Sequence, residues 1–156
     1  NLLKYVSELN IPVFVVTNQS GISRGYYDWE DFEKVNERML FLIGQKSPIV
    51  AIFANSHLNN LKNNWRKPNP GMINAATKKY NLKTDSSILV GDRLSDMISG
   101  CRSGIKTLVH VKTGHGVIEY KNILKFCKED FFRFEKFKSK IIFIENLLEF
   151  PYELFS

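Results

Sequence analysis

An α/β fold with a mainly parallel sheet is predicted by three features of this sequence. Short β-branched runs recur between amphipathic segments, the residues that follow several of those runs are Thr, Asn, Gly or Asp, and the chain is long enough to bury one sizeable core. Strands alternating with helices at this spacing argue a sheet covered on both faces, a three-layer sandwich formed as one domain over residues 1–156. In such sheets ligands sit outside the carboxyl ends of the strands, so groups at successive strand ends are expected to converge although they lie far apart in sequence.

Leu2, Leu3, Val6 and Leu9 recur at helical spacing until Asn10 and Pro12 end the pattern, and residues 11–16 make a short run predicted to be a buried strand. After a loop over residues 18–27, Asp28 is placed to N-cap a helix carrying Phe32, Val35, Met39 and Leu42 on one face. Residues 49–53 form the next strand. Residues 54–70 are polar and Asn-rich with two prolines near the end, a long loop of the kind that usually has a functional reason. Pro70 suits the first turn of a helix running to Tyr80. Residues 87–90 are a strand, 94–103 a helix stopped by Gly104, and 105–111 another strand. From residue 117 to 138 the pattern is expected to be helical, with Phe and Lys interleaved, before a last strand at 141–144 and a short closing helix over 147–154. There is no internal repeat and no low-complexity segment.

A net charge of +6 favours anionic partners, but the Lys and Arg residues are scattered and form no arm or stripe, which points to a small phosphorylated metabolite and not to nucleic acid. Cys101 and Cys127 are too few for a disulfide framework or a four-thiolate zinc site and fit a reducing, cytoplasmic setting. No apolar run reaches transmembrane length, and no membrane partner is expected. The chain opens at Asn1, without Met and directly in a helix-like pattern, as an N-terminally truncated domain would.

Three segments carry the chemistry. Thr17 opens the stretch Asn18-Gln19-Ser20-Gly21-Ile22-Ser23-Arg24-Gly25, whose hydroxyls and free N–H groups suit a phosphate, although an ordinary strand-to-loop turn has the same composition. Lys67 lies in Arg66-Lys67-Pro68-Asn69-Pro70-Gly71-Met72, where two prolines stiffen the backbone. A rigid Lys near transferring oxygens offsets developing charge and Arg66 can grip a second anion with its fork, whereas the plain reading is a solvated basic turn. Gly91 allows a sharp turn that leaves the Asp92 carboxylate at the top edge of the sheet, and Asp96 follows one helical turn later. Two hard oxygen donors there suit Mg²⁺, while the structural alternative makes Asp92 the N-cap of the next helix.

In order, these segments resemble the second, third and fourth motifs of the haloacid dehalogenase-like (HAD) phosphatases, closest to the branch that includes the heptose 1,7-bisphosphate and histidinol phosphatases. The resemblance covers roughly residues 1–115, with a weaker continuation to the end. It implies a Rossmann-like, HAD-type fold and a Mg²⁺-dependent phosphomonoesterase acting on a small sugar phosphate, foremost D-glycero-D-manno-heptose 1,7-bisphosphate. Histidinol phosphate is the alternative substrate, and a non-catalytic phosphate-binding domain the alternative class. By the resemblance, Thr17 and Asn18 bind the transferring phosphoryl group with Gln19 and Arg24 alongside, and Lys67 neutralises it. Arg66 and Arg93 contact substrate, Asp92 holds Mg²⁺ and Asp96 supports the metal end.

The family's attacking group is an aspartate that becomes an aspartyl-phosphate, with a second aspartate two residues on as acid and base. No Asp-x-Asp occurs anywhere in these residues, so the first, central strand of the family's sheet is expected to be missing, its neighbours left with unpaired edges, and this chain alone to be inactive. Heptose bisphosphatases often carry a Cys-rich zinc loop before the Arg-Lys-Pro motif. Residues 54–65 here hold only His57, so no zinc is expected. Phe126, Phe131, Phe132, Phe134 and Phe137 are expected to pack a helix on the core, with Lys121, Lys125, Lys128 and Lys136 as its solvated face. His110 and His115 flank the loop after a strand, and substrate contact is one reading of that place.

Overall fold

The computed structural model describes residues 2–58 and 65–156, arranged as two compact units, Asn1–Arg66 and Lys67–Ser156.

The first unit contains α1 (Leu2–Glu8), β1 (Val13–Asn18), α2 (Ser20–Ser23), α3 (Trp29–Ile43) and β2 (Ile49–Asn55). Asn10, at φ 56°, turns the chain out of α1. β1 and β2 pair in parallel as a two-stranded sheet, with Thr17 opposite Ala54 and Asn18 opposite Asn55. The strand thus runs two residues further than its apolar run, and Thr17 and Asn18 sit on its end, not in the loop. Asp28 caps α3 as expected: its carboxylate accepts from the Asp31 N–H at 2.9 Å, and the Asp31 carboxylate accepts from the Asp28 N–H at 3.4 Å. The expected apolar face of α3 is corrected. Phe32, Asn36, Met39 and Ile43 make the half-buried stripe, while Val35 and Leu42 are 66% and 68% exposed. Residues 40–43 are apolar all round the helix, so sequence alone did not fix which side turns inward.

The second unit contains α4 (Gly71–Tyr80), β3 (Ile88–Gly91), α5 (Leu94–Arg102), β4 (Thr107–Val111), α6 (Gly116–Leu124), β5 (Cys127–Lys128), β6 (Phe131–Phe134) and β7 (Phe137–Ile144), closed by two 3₁₀ turns, Leu147–Glu149 and Tyr152–Phe155. Its sheet runs β3-β4-β7-β6-β5, with β3, β4 and β7 parallel and the β5-β6-β7 meander antiparallel. Met72, Met97, Leu108, Val109, Ile123 and Phe132 are buried between sheet and helices. Each such side chain contributes about 1.5–3 kcal/mol by leaving water.

The helix expected over residues 117–138 is the main correction: α6 ends at Leu124 and the rest is the meander. Phe137, Lys138, Ser139, Lys140 and Ile141 alternate at period two, the period of a strand, and Phe132 and Ser139 face inward at 0% and 2% exposure. The Phe residues still form a packed cluster, with Phe126 5.8 Å from Phe132 and 5.6 Å from Phe134, but on strands. The closing helix is likewise two short turns, because Pro151 interrupts it.

β1 and β3, the strands that end in motif residues, each have one partner strand among the described residues. Among those residues no helix is long and apolar enough to cross a membrane.

Candidate functional site

Thr17, Asn18, Gln19, Arg24 and Arg66 belong to the first unit. The Gln19 backbone N–H donates to the Asn55 carbonyl at 2.7 Å, which extends the β1–β2 pairing one step past the strand. Its side-chain amide donates to Thr17 Oγ1 at 2.9 Å, and the Tyr27 hydroxyl donates to Gln19 Oε1. A threonine oxygen that accepts from an amide has its own proton left to give, so this Tyr27–Gln19–Thr17 relay presents the Thr17 hydroxyl as a donor to an anion. Tyr27 was not anticipated, since nothing in the sequence ties it to a glutamine eight residues earlier. Arg24 is exposed just after α2 and makes no ion pair among the described residues. The Arg66 guanidinium donates to the His57 carbonyl at 3.2 Å. His57 is exposed, and the zinc expectation rests partly on residues 59–64, which lie outside the described residues.

Lys67, Asp92, Arg93 and Asp96 belong to the second unit. Lys67 Nζ lies 2.7 Å from Asp96 Oδ1, with the two side chains only 13% and 9% exposed. Asp96 Oδ2 accepts from the Arg93 N–H at 3.0 Å, so both carboxylate oxygens are engaged and the start of α5 is satisfied by Asp96. This arrangement requires Gly91: a Cβ there would stand 2.6 Å from Asp96 Cβ and 2.7 Å from Oδ2. The third and fourth motifs are therefore joined by a buried ion pair.

Asp92 does not cap α5. Its Oδ2 accepts from the His115 backbone N–H at 2.8 Å, across the β4–α6 connection, and its Oδ1 has no hydrogen-bond partner among the described residues. The side chain is 31% exposed. A half-exposed carboxylate with one oxygen oriented and one uncommitted fits a hard, hydrated cation such as Mg²⁺, which takes one or two protein carboxylates. Among the described residues no three His, Cys, Asp or Glu side chains cluster as a larger metal centre would need.

The two histidines separate. His110, on β4 opposite Gly91, is fully buried against Phe143 and Tyr120, and burial pushes its imidazole below the ordinary 6.5. It is part of the core. His115 is exposed, and its Nε2 lies 2.6 Å from an Arg93 guanidinium nitrogen. Burial also pushes the thiols of Cys101 and Cys127 up, so neither is poised as a nucleophile.

Comparison with known proteins gives concordant matches. A family model described as HAD-hydrolase-like matches residues 64–121. A protein of Photorhabdus laumondii named D-glycero-alpha-D-manno-heptose-1,7-bisphosphate 7-phosphatase is 38% identical over 125 residues, covering 75% of this chain and 68% of that protein. One of the same name from Campylobacter jejuni is 38% identical over 136 residues, covering 82% and 78%. The crystal structure of D,D-heptose 1,7-bisphosphate phosphatase from B. bronchiseptica, complexed with magnesium and phosphate, superposes with a TM-score of 0.76 over 93% of this chain and 74% of its own, at 23% identity, which bears on the fold alone.

Proposed function

The chain belongs to the HAD-like hydrolases, within the heptose-1,7-bisphosphate phosphatase family, and from that premise we propose that it is the phosphate- and metal-binding part of a Mg²⁺-dependent phosphomonoesterase acting on a heptose 1,7-bisphosphate. The observation that carries the reading is the Lys67–Asp96 pair beside an oriented Asp92. An ammonium fixed by a buried carboxylate at 2.7 Å needs no reorganisation to meet charge building on a phosphoryl oxygen. Asp92 would hold the magnesium ion with Asp96 supporting that end. Bound there, the ion supplies charge neutralisation that lets an anionic nucleophile approach phosphorus.

The remaining motif residues are assigned binding and orienting roles. Thr17, its hydroxyl aimed by Gln19, and Asn18 donate to the transferring phosphoryl group. Arg24, Arg66 and Arg93 supply guanidinium forks for the rest of a doubly phosphorylated substrate. The attacking carboxylate is not among these 156 residues, which contain no Asp-x-Asp.

A polypeptide of these residues is expected to bind phosphate in a Mg²⁺-dependent way without turnover. The same residues fused to an upstream strand carrying an Asp-x-Asp pair are expected to release phosphate from heptose 1,7-bisphosphate in preference to histidinol phosphate. No metal-dependent release from any phosphate ester by a folded fusion would refute the enzyme reading, and preference for histidinol phosphate would refute the substrate.

A further inference from the structure

The loop of residues 112–116, between β4 and α6, lies outside the three motifs, yet it touches both exposed groups of the fourth. From one residue, His115, it uses two atoms for two jobs. The backbone N–H donates to Asp92 Oδ2 at 2.8 Å, and ring Nε2 sits 2.6 Å from the Arg93 guanidinium. A guanidinium donates and never accepts, so Nε2 is the acceptor and the ring proton resides on Nδ1, the nitrogen 3.5 Å from Asp92 Oδ2. Arg93 is exposed at the start of α5 and forms no ion pair with a carboxylate among the described residues. Its direction is therefore fixed by an uncharged acceptor, and its positive charge is left for a ligand. Gly114, at φ 62°, brings the loop this close, because a Cβ there would stand 2.5 Å from Asp92 Oδ2.

We propose that His115 is a positioning residue for substrate binding: its imidazole aims the Arg93 guanidinium at an anionic group of the phosphate ester, while the loop backbone separately orients the Asp92 carboxylate. The proposal rests on the phosphatase reading above. It divides one loop into a substrate-side function carried by a side chain and a metal-side function carried by the main chain, so the two are separable by substitution.

The test uses the catalytically complete fusion with three variants. His115→Ala removes the ring and keeps the N–H. It is expected to raise KM about tenfold, the value of one hydrogen bond to a charged group, with kcat within about twofold and calorimetric Mg²⁺ affinity unchanged. His115→Gln, which restores an acceptor, is expected to bring KM back to within about threefold. Gly114→Ala pushes on Asp92 and is expected to weaken Mg²⁺ binding by about tenfold, read by calorimetry without substrate. An unchanged KM in His115→Ala overturns the proposal, as does a parallel loss of Mg²⁺ affinity and kcat in that variant, which would mark a merely structural residue. If the unsubstituted fusion neither binds Mg²⁺ nor releases phosphate, the phosphatase reading fails and takes the proposal with it. If it does both and His115→Ala is silent, the proposal alone fails.

Discussion

Replacing either member of the Lys67–Asp96 pair leaves a charge in a place that water hardly reaches. At 2.7 Å the gross attraction is about 6 kcal/mol with an effective dielectric of about 20, and desolvation of two side chains that are 13% and 9% exposed offsets much of it. The net worth of the pair is therefore modest, but the cost of breaking it from one side is not. Asp96→Asn keeps shape and an acceptor for the Arg93 N–H while taking the neutralising charge away from the ammonium. Lys67→Met keeps length while stranding the carboxylate. Each is expected to cost about 3 kcal/mol, or about 6 to 12 °C in Tm for a chain of this size. The double variant should cost about 1 kcal/mol or less instead of about 6, since it removes both charges together. Urea titration of wild type, both singles and the double measures the coupling directly. Additivity within about 0.5 kcal/mol would refute the claim that the two motifs are fastened by this contact, and with it the account of why Lys67 is held rigid.

Tyr27→Phe takes the donor from Gln19 Oε1 and frees the amide that aims Thr17, so affinity for inorganic phosphate, measured by calorimetry with Mg²⁺ present, should fall about three- to tenfold with the fold unchanged by circular dichroism. Equal affinity would dismiss the relay. His110 gives a pH signature. Its imidazole is held below 6.5 in the folded state, so the unfolded chain binds the extra proton, and stability that is fully present above pH 6.5 is lost as pH falls through the lowered value. His110→Phe removes the titrating group, so its urea midpoint should vary less between pH 7 and pH 5. An identical pH slope in the two proteins would show that another group is responsible.

The strand ends were legible because the signal there is local. Gly91-Asp92 after an apolar run, or a lysine between Arg and Pro, states both backbone and chemistry within a few residues. The meander was not, because the left-handed positions of its turns carry no Gly or Asn. Glu129 and Glu135 occupy the left-handed region, at φ 55° and 54°, where Gly or Asn is the usual signal, so a Phe/Lys alternation of period two was open to a helical reading. The Asp92–His115 contact spans 23 residues and depends on β3 and β4 being parallel neighbours. No window of sequence contains it.

That contact also gives two carboxylates one helical turn apart different surroundings. The sequence presents Asp92 and Asp96 as equivalent hard donors, but their surroundings differ. Asp96 is buried with both oxygens committed, one to an ammonium and one to a backbone N–H, and a divalent cation would have to compete with Lys67 for the same oxygen. Asp92 is half-exposed, with one oxygen held by a neutral donor and the other uncommitted. Environment, more than residue type, divides such pairs into a ligand and an organiser. On that ground Asp92→Asn should abolish Mg²⁺ binding and leave thermal stability within about 1 kcal/mol of wild type, whereas Asp96→Asn should cost stability first and metal affinity second. The reverse ranking, measured by calorimetry and urea titration on the same two variants, would mean that Asp96 releases Lys67 when the cation arrives.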